Sequence, residues 1–195
     1  MLAALYLPSA GASSPVTEIH TGDIAKGTVG LGMGLRWGDS PYTGVDDIGH
    51  WYNDEPSDLM PFYYYEGRWL FSHGSSAGIH FLDSEHFELD ALISYRFSRL
   101  EPQKDWSLRG LEEREQSLDG GLRAAFKGDW GKLSATALTD TLDRHGGDEL
   151  DITYRFDWAP GKWMVSPFAS YVWQDENLTN YYYGVSEEER RFDQR

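Results

Sequence analysis

The sequence predicts an all-β fold, an up-and-down antiparallel transmembrane β-barrel. Apolar and polar residues alternate over one run after another, which is the period of a strand with one oily face. The runs are roughly 9–12 residues long, enough to cross a bilayer when tilted and longer than ordinary globular strands. Aromatic residues make up 15% of the chain and gather at the ends of the runs. The 3.6-residue helical period does not extend over any long window, and the 21 glycines are spread through the would-be elements.

Residues 28–37, TVGLGMGLRW, place Val29, Leu31, Met33, Leu35 and Trp37 on one face and Gly30, Gly32, Gly34 and Arg36 on the other. Residues 59–65, LMPFYYY, form an aromatic-rich run. Residues 68–82, RWLFSHGSSAGIHFL, read as one strand with Trp69, Phe71, Ala77, Ile79 and Phe81 together. Residues 86–99 alternate most cleanly. Phe87, Leu89, Ala91, Ile93, Tyr95 and Phe97 face one side, Glu88, Asp90, Ser94 and Arg96 the other, and Leu92 breaks the rule. In 117–127, Leu118, Leu122, Ala124 and Phe126 oppose Asp119, Arg123 and Lys127. Leu133, Ala135 and Ala137 oppose Ser134, Thr136 and Asp140 in 132–140. Leu150, Ile152, Tyr154 and Phe156 oppose Asp151, Thr153, Arg155 and Asp157 in 149–157. Residues 163–174 close the series, with Trp163, Val165, Ala169, Tyr171 and Trp173 on one face. The tight polar links DSE (83–85), GDWG (128–131) and APGK (159–162) suit sequential hairpins. That makes about eight strands, a number that closed membrane barrels do use.

The polar face identifies the solvent. A soluble barrel would carry many Lys and Glu outside an apolar interior. Here the polar face mixes single charges of both signs with small residues: Glu88, Asp90, Arg96, Asp119, Arg123, Asp151 and Arg155 among Gly, Ser and Thr. Such a set fits a narrow lumen in which side chains neutralise one another. Trp37, Tyr65, Trp69, Tyr95, Phe97, Tyr154, Phe156, Trp163 and Trp173 then form the interfacial girdles. The competing reading is a soluble β-sandwich with aromatic core ends.

The chain has 195 residues, 32 acidic against 17 basic, and a formal charge of -15. That balance argues against a nucleic-acid partner, whose phosphates need Lys and Arg. With no Cys there is neither a disulfide nor a thiolate metal site. No run of about 18 apolar residues is found, which excludes a transmembrane helix. Residues 1–12 resemble a partial signal peptide: Leu2 to Leu7 are mostly apolar, and Ala10-Gly11-Ala12 fits a small-x-small cleavage site. Residues 13–25 are expected to be a periplasmic segment, 26–176 the barrel strands, and 177–195 a charged loop or tail.

Taken together, GLGMGLRWG, GVDDIG, LMPFYYYEGRWLFSHGSSAGIHFL, LDALISYRFSR followed by LRGLEE, and above all NYYYGVSEEE resemble the MipA/OmpV family of Gram-negative outer-membrane proteins, the MltA-interacting proteins. The resemblance covers most of the chain after residue 26. It implies an outer-membrane barrel in contact with lipid and lipopolysaccharide. It further implies a scaffold between a lytic transglycosylase and a peptidoglycan synthase, and it carries over no catalytic residue. Two departures accompany it. The family pattern continues for several strands past YYYGVS, so the barrel is expected to be C-terminally truncated; Phe192 lies near the end but in no alternating strand. With a periplasmic N-terminus, the eight runs also put loop 99–116 on the periplasmic side, whereas long loops normally lie outside. Either one strand is hidden, near 16–25, or the loop is periplasmic and suits a scaffold.

No residue is assigned as catalytic, cofactor-binding or metal-ligating, and no cofactor is expected. His73 and Ser75, two apart on the face read as lipid-facing, resemble the His-x-Ser pair of outer-membrane lipid A deacylases, in which His activates Ser. The competing view is a Gly/Ser-rich strand that contains a His. DDIGHWYNDEPSD (46–58) with His50 and DRHGGDELD (143–151) with His145 concentrate carboxylates but lack EF-hand spacing. His20, His80 and His86 match no ligand pattern. Asp140 and Asp143 fall in a turn, not across a cleft, which argues against murein cleavage. Three functions stay open: a non-enzymatic scaffold for murein enzymes, a lipid-modifying enzyme, and a small porin or adhesin. The four lumen arginines, Arg36, Arg96, Arg123 and Arg155, argue for a plugged lumen.

Overall fold

The computed structural model describes residues 26–37, 57–96, 98, 102, 110–158, 165–186 and 189. Among them are nine strands and one helix: β1 Thr28–Trp37, β2 Ser57–Glu66, β3 Leu70–His73, β4 Ser76–Asp83, β5 Phe87–Arg96, β6 Ser117–Gly128, β7 Gly131–Asp140, β8 Asp148–Arg155, β9 Phe168–Gln174 and α1 Glu176–Tyr183. Each strand pairs antiparallel with the next, in one sheet of order β1 to β9. The predicted all-β, up-and-down architecture is the one observed. The sheet is open between β1 and β9 among the described residues. It is strongly curled, because ion pairs skip strands: Arg96 of β5 reaches Glu149 of β8, and Lys26, just before β1, reaches Asp83 at the end of β4.

The burial pattern is that of a globular protein turned inside out. Asp90, Ser117 and Asp119 are almost completely buried, while Val29 is 70% and Tyr171 65% exposed. Alternation produces this result. On β5, Asp90, Leu92 and Arg96 are buried on the concave face, and Phe87, Ile93 and Tyr95 point out. On β6, Asp119, Arg123 and Ala125 point in, with Leu122 and Phe126 outside. Exposed apolar residues continue across this face from β1 to β9, which is the arrangement of a barrel whose outer surface meets a membrane. At the short-turn end the exposed Phe126, Trp130 and Tyr154 stack in series, at centroid spacings of 5.9 and 6.1 Å. Phe156 and Trp158 extend that girdle, and Tyr63 and Tyr95 mark the opposite end.

Inside, glycines make room for rings. A Cβ on Gly78 would lie 2.6 Å from the ring of Phe71, and one on Gly30 would lie 3.2 Å from the Cβ of Tyr64. Tyr64 and Phe71, both buried, occupy the space that these glycines leave.

One expected element is corrected. Residues 68–82 are not a single strand. They break at the Gly74-Ser75 turn into β3 and β4, with Gly74 at φ 63°. Because His73 pairs with Ser76 across a two-residue turn, the hairpin carries Phe71 onto the face of His80, away from Ile79 and Phe81. The extra strand also settles the loop geometry. The 38–56, 97–116 and 141–147 connections and α1 all fall at one end of the sheet, and the 67–69, 84–86, 129–130 and 156–167 connections at the other. Loop 99–116 therefore shares an end with 38–56. The hidden strand is β3; the alternative near 16–25 lies outside the described residues, as do the expected leader and periplasmic segment. Residues 177–183, expected as loop or tail, belong to α1, which starts at Glu176.

The paired-charge lumen as candidate functional site

The concave face carries three linked groups of charges. The first joins five strands. Glu66 of β2 bridges two histidines, with Oε2 2.7 Å from His73 Nε2 and Oε1 2.9 Å from His80 Nε2. The other nitrogen of His80, Nδ1, lies 2.7 Å from Asp90 Oδ1. Asp90 Oδ2 accepts from Arg123 Nε at 2.9 Å and from its terminal nitrogen at 2.8 Å. With a carboxylate at each ring nitrogen, His80 donates twice and is held as an imidazolium. Aromatic rings pack this chain from the side: His73 stacks on Tyr64 at 4.7 Å, and the Arg123 guanidinium lies 4.7 Å from the centre of Phe71.

The second group lies toward the long-loop end. Arg96 donates from Nε to Asp119 at 2.8 Å and from a terminal nitrogen to Glu149 at 3.1 Å. Glu149 also accepts from Gln174 at 2.7 Å. Asp119 receives Ser117 Oγ and, at 3.1 Å, His145 Nε2. Since Nδ1 of His145 accepts the Gly147 N–H, this ring donates to Asp119 as the neutral tautomer. The third group, at the short-turn end, alternates in sign: Lys26, Asp83, Lys127, Glu88, Lys132.

At the long-loop end α1 packs with residues 112–115 and Glu189 as a cap. Asp175 accepts the Leu178 N–H at 2.9 Å and starts α1, whose Leu178 is 1% exposed. The Tyr182 ring tilts against His145 at 5.9 Å, and burial pushes its phenol well above the ordinary tyrosine range. The hydroxyl of Tyr181 accepts the Glu115 N–H, and that of Tyr182 donates to the Glu115 carbonyl. Gly184 ends α1, and a Cβ there would lie 2.4 Å from the Asn180 carbonyl. Ser186 and Glu189 then form a reciprocal cap: the Glu189 N–H donates to Ser186 Oγ, and the Glu189 carboxylate accepts the Ser186 N–H. Glu189 also accepts from the Glu112 N–H at 2.7 Å and from Arg114 at 2.8 Å. Burial opposes the charge of Glu189, but these donors outweigh it and hold the carboxyl below its usual range.

The sequence candidates fare unequally. Glu88, Asp90, Arg96, Asp119, Arg123, Asp151 and Arg155 all face inward, as expected. The deacylase-like pair is overturned as a pair: His73 ends β3 and faces inward onto Glu66, while Ser75 sits in the turn beyond it. His145 and Asp140 do come together with Asp119, as three groups close enough to hold an ion. Their oxygens are already engaged, those of Asp119 by Arg96, Ser117 and His145. The oxygens of Asp140 are taken by the N–H groups of Leu142, Arg144, His145 and Gly146. Asp143 is exposed at φ 55° in that loop. His86 lies in an exposed turn; His20, His50 and the 46–56 carboxylates lie outside the described residues. Sequence reading missed the clasp of His73 and His80 on Glu66. The signal was the Gly-Ser turn, which sets the two histidines on one face.

The sequence pattern of the family described as MltA-interacting protein MipA matches residues 6–194. The chain belongs to that family. It is 28% identical over 165 residues to the "Putative outer membrane protein YiaT" of Escherichia coli K12, covering 83% of this chain and 63% of that protein. Over 150 residues it is 29% identical to the MltA-interacting protein of E. coli K12 and to that of Shigella flexneri, covering 75% of this chain and 60% of each. The chain thus spans less than two thirds of the length of these relatives. No solved structure matches it. The lipid-facing strands and the family place this MipA-family chain in the bacterial outer membrane.

Proposed function

We propose that the chain acts as a non-enzymatic outer-membrane scaffold that binds murein-metabolising enzymes, a lytic transglycosylase first among them. The observation that carries this reading is kinship to the MltA-interacting proteins, whose name describes a binding role. The lumen supports it: its charges are spent on one another, and His80 and His145 each have both ring nitrogens engaged, so neither offers a free base. A scaffold for periplasmic enzymes would bind them at the short-turn end. Loop 99–116, which shares the other end with 38–56, gives no support to that surface. The test is capture of a purified lytic transglycosylase by the detergent-solubilised chain. Retention above an unrelated outer-membrane barrel is expected, and equal retention by both would overturn the reading. A conducting porin is disfavoured by the Arg96–Glu149 ion pair, which crosses the concave face from β5 to β8.

A further inference from the structure

The wall is unevenly fastened. The β2–β3 ladder holds only three residue pairs: Tyr64 with His73, Tyr65 with Ser72, and Glu66 with Phe71. The β1–β2, β5–β6 and β6–β7 ladders hold ten each. One more backbone bond, from the Gly74 N–H to the Tyr63 carbonyl at 2.9 Å, closes the upper end of this seam. The ladder cannot lengthen further. In this register β3 ends at His73 and the chain turns away at Gly74-Ser75, so no β3 residue is left to face Phe62 or Pro61. Side chains compensate. On the luminal side Glu66 of β2 grips His73 of β3 and His80 of β4. The remaining partners, Asp90 and Arg123, belong to β5 and β6 and stay with β4 whether or not Glu66 holds.

We propose that the β2–β3 seam is a lateral gate between the lumen and the membrane, latched by Glu66 on His73 and His80. It opens from the β3–β4 tip, because the 67–69 turn, with its Gly67 N–H to Leu70 carbonyl bond, keeps the other end joined. Opening brings the buried rings of Tyr64 and Phe71 against acyl chains, at a cost smaller than exposing charge to lipid. Hydrogen exchange of the full chain in lipid nanodiscs, read by mass spectrometry, tests the gate. Residues 70–74 are expected to exchange at least about ten-fold faster than 118–126. Glu66→Gln should accelerate 70–74 by about a further ten-fold and leave 118–126 unchanged. Glu88→Gln, which loosens the separate Lys127 and Lys132 pairs, should leave 70–74 unchanged. Equal wild-type rates in the two segments would overturn the gate. No response of 70–74 to Glu66→Gln, or the same response to both variants, would overturn the latch. Should Glu66→Gln fail to insert, the wild-type ordering alone decides for or against the gate.

Discussion

Asp90 shows how a single buried charge is held in this wall. It is wholly buried, and its two oxygens serve His80 and Arg123. Asp90→Asn leaves two cationic partners in the lumen without their counter-charge. Breaking a buried pair from one side costs about 3–5 kcal/mol. We expect Asp90→Asn to lower stability by that order in urea unfolding from lipid vesicles. The Asp90→Asn/Arg123→Gln double variant should be less impaired than the two single losses summed, because it also removes the stranded cation. The side on which Asp90 and Arg123 lie was legible from alternation alone. Their partners were not. Alternation fixes the face of a residue, but which charge meets which depends on register and curl. Leu92 shows the complementary case: it breaks the polar alternation and still points inward, buried beside these charges, because the strand period outranks residue type.

At the scale of elements, long strands read well and short ones did not. β5, β6 and β7, each 10 residues or more, kept one phase throughout and were placed correctly. The four residues of β3 gave too little alternation to separate them from β4, and the turn between them was taken for Gly-rich strand. The eight residues of α1 were missed for the same reason. The helix is short, and it is held by its caps and by Leu178 more than by amphipathic period. Asp175→Ala is therefore expected to cost about 1 kcal/mol of helix stability and to speed protease cleavage within 176–186. The clasp made by Glu189 adds a pH dependence. Its folded carboxyl titrates below the unfolded value of about 4.3, so its stabilisation is complete above that pH and is lost as pH falls through the folded value. Hydrogen exchange of 110–116 should thus accelerate below about pH 4, after correction for the intrinsic rate, and Glu189→Gln should flatten that response.

For the whole molecule, strand parity decides which loops face which compartment. Nine strands put 38–56, the 74–75 turn, 97–116, 141–147 and α1 at one end, and 67–69, 84–86, 129–130 and 156–167 at the other, so the two longest connections share the first end. Outer-membrane barrels keep short turns on the periplasmic side and long loops outside. The capped end of the lumen, where Tyr181, Tyr182 and Glu189 grip 112–115, is then the extracellular one. The chain has no cysteine, so single-cysteine labelling is free of background. Glu113 lies exposed beside the cap, and Asp129 is exposed in the β6–β7 turn. In intact cells a membrane-impermeant maleimide should label Glu113→Cys, and it should reach Asp129→Cys only after the outer membrane is permeabilised. The reverse pattern would turn the barrel over and return loop 99–116 to the periplasm. Labelling of both in intact cells would mean that the wall does not separate the two compartments. The outcome also bears on the scaffold, because it fixes which turns a periplasmic enzyme can touch. With the predicted orientation the accessible set is 67–69, 84–86, 129–130 and 156–167, and a loss of enzyme capture on altering the exposed turn residues Arg68, Glu85 and Asp129 would localise the interface there.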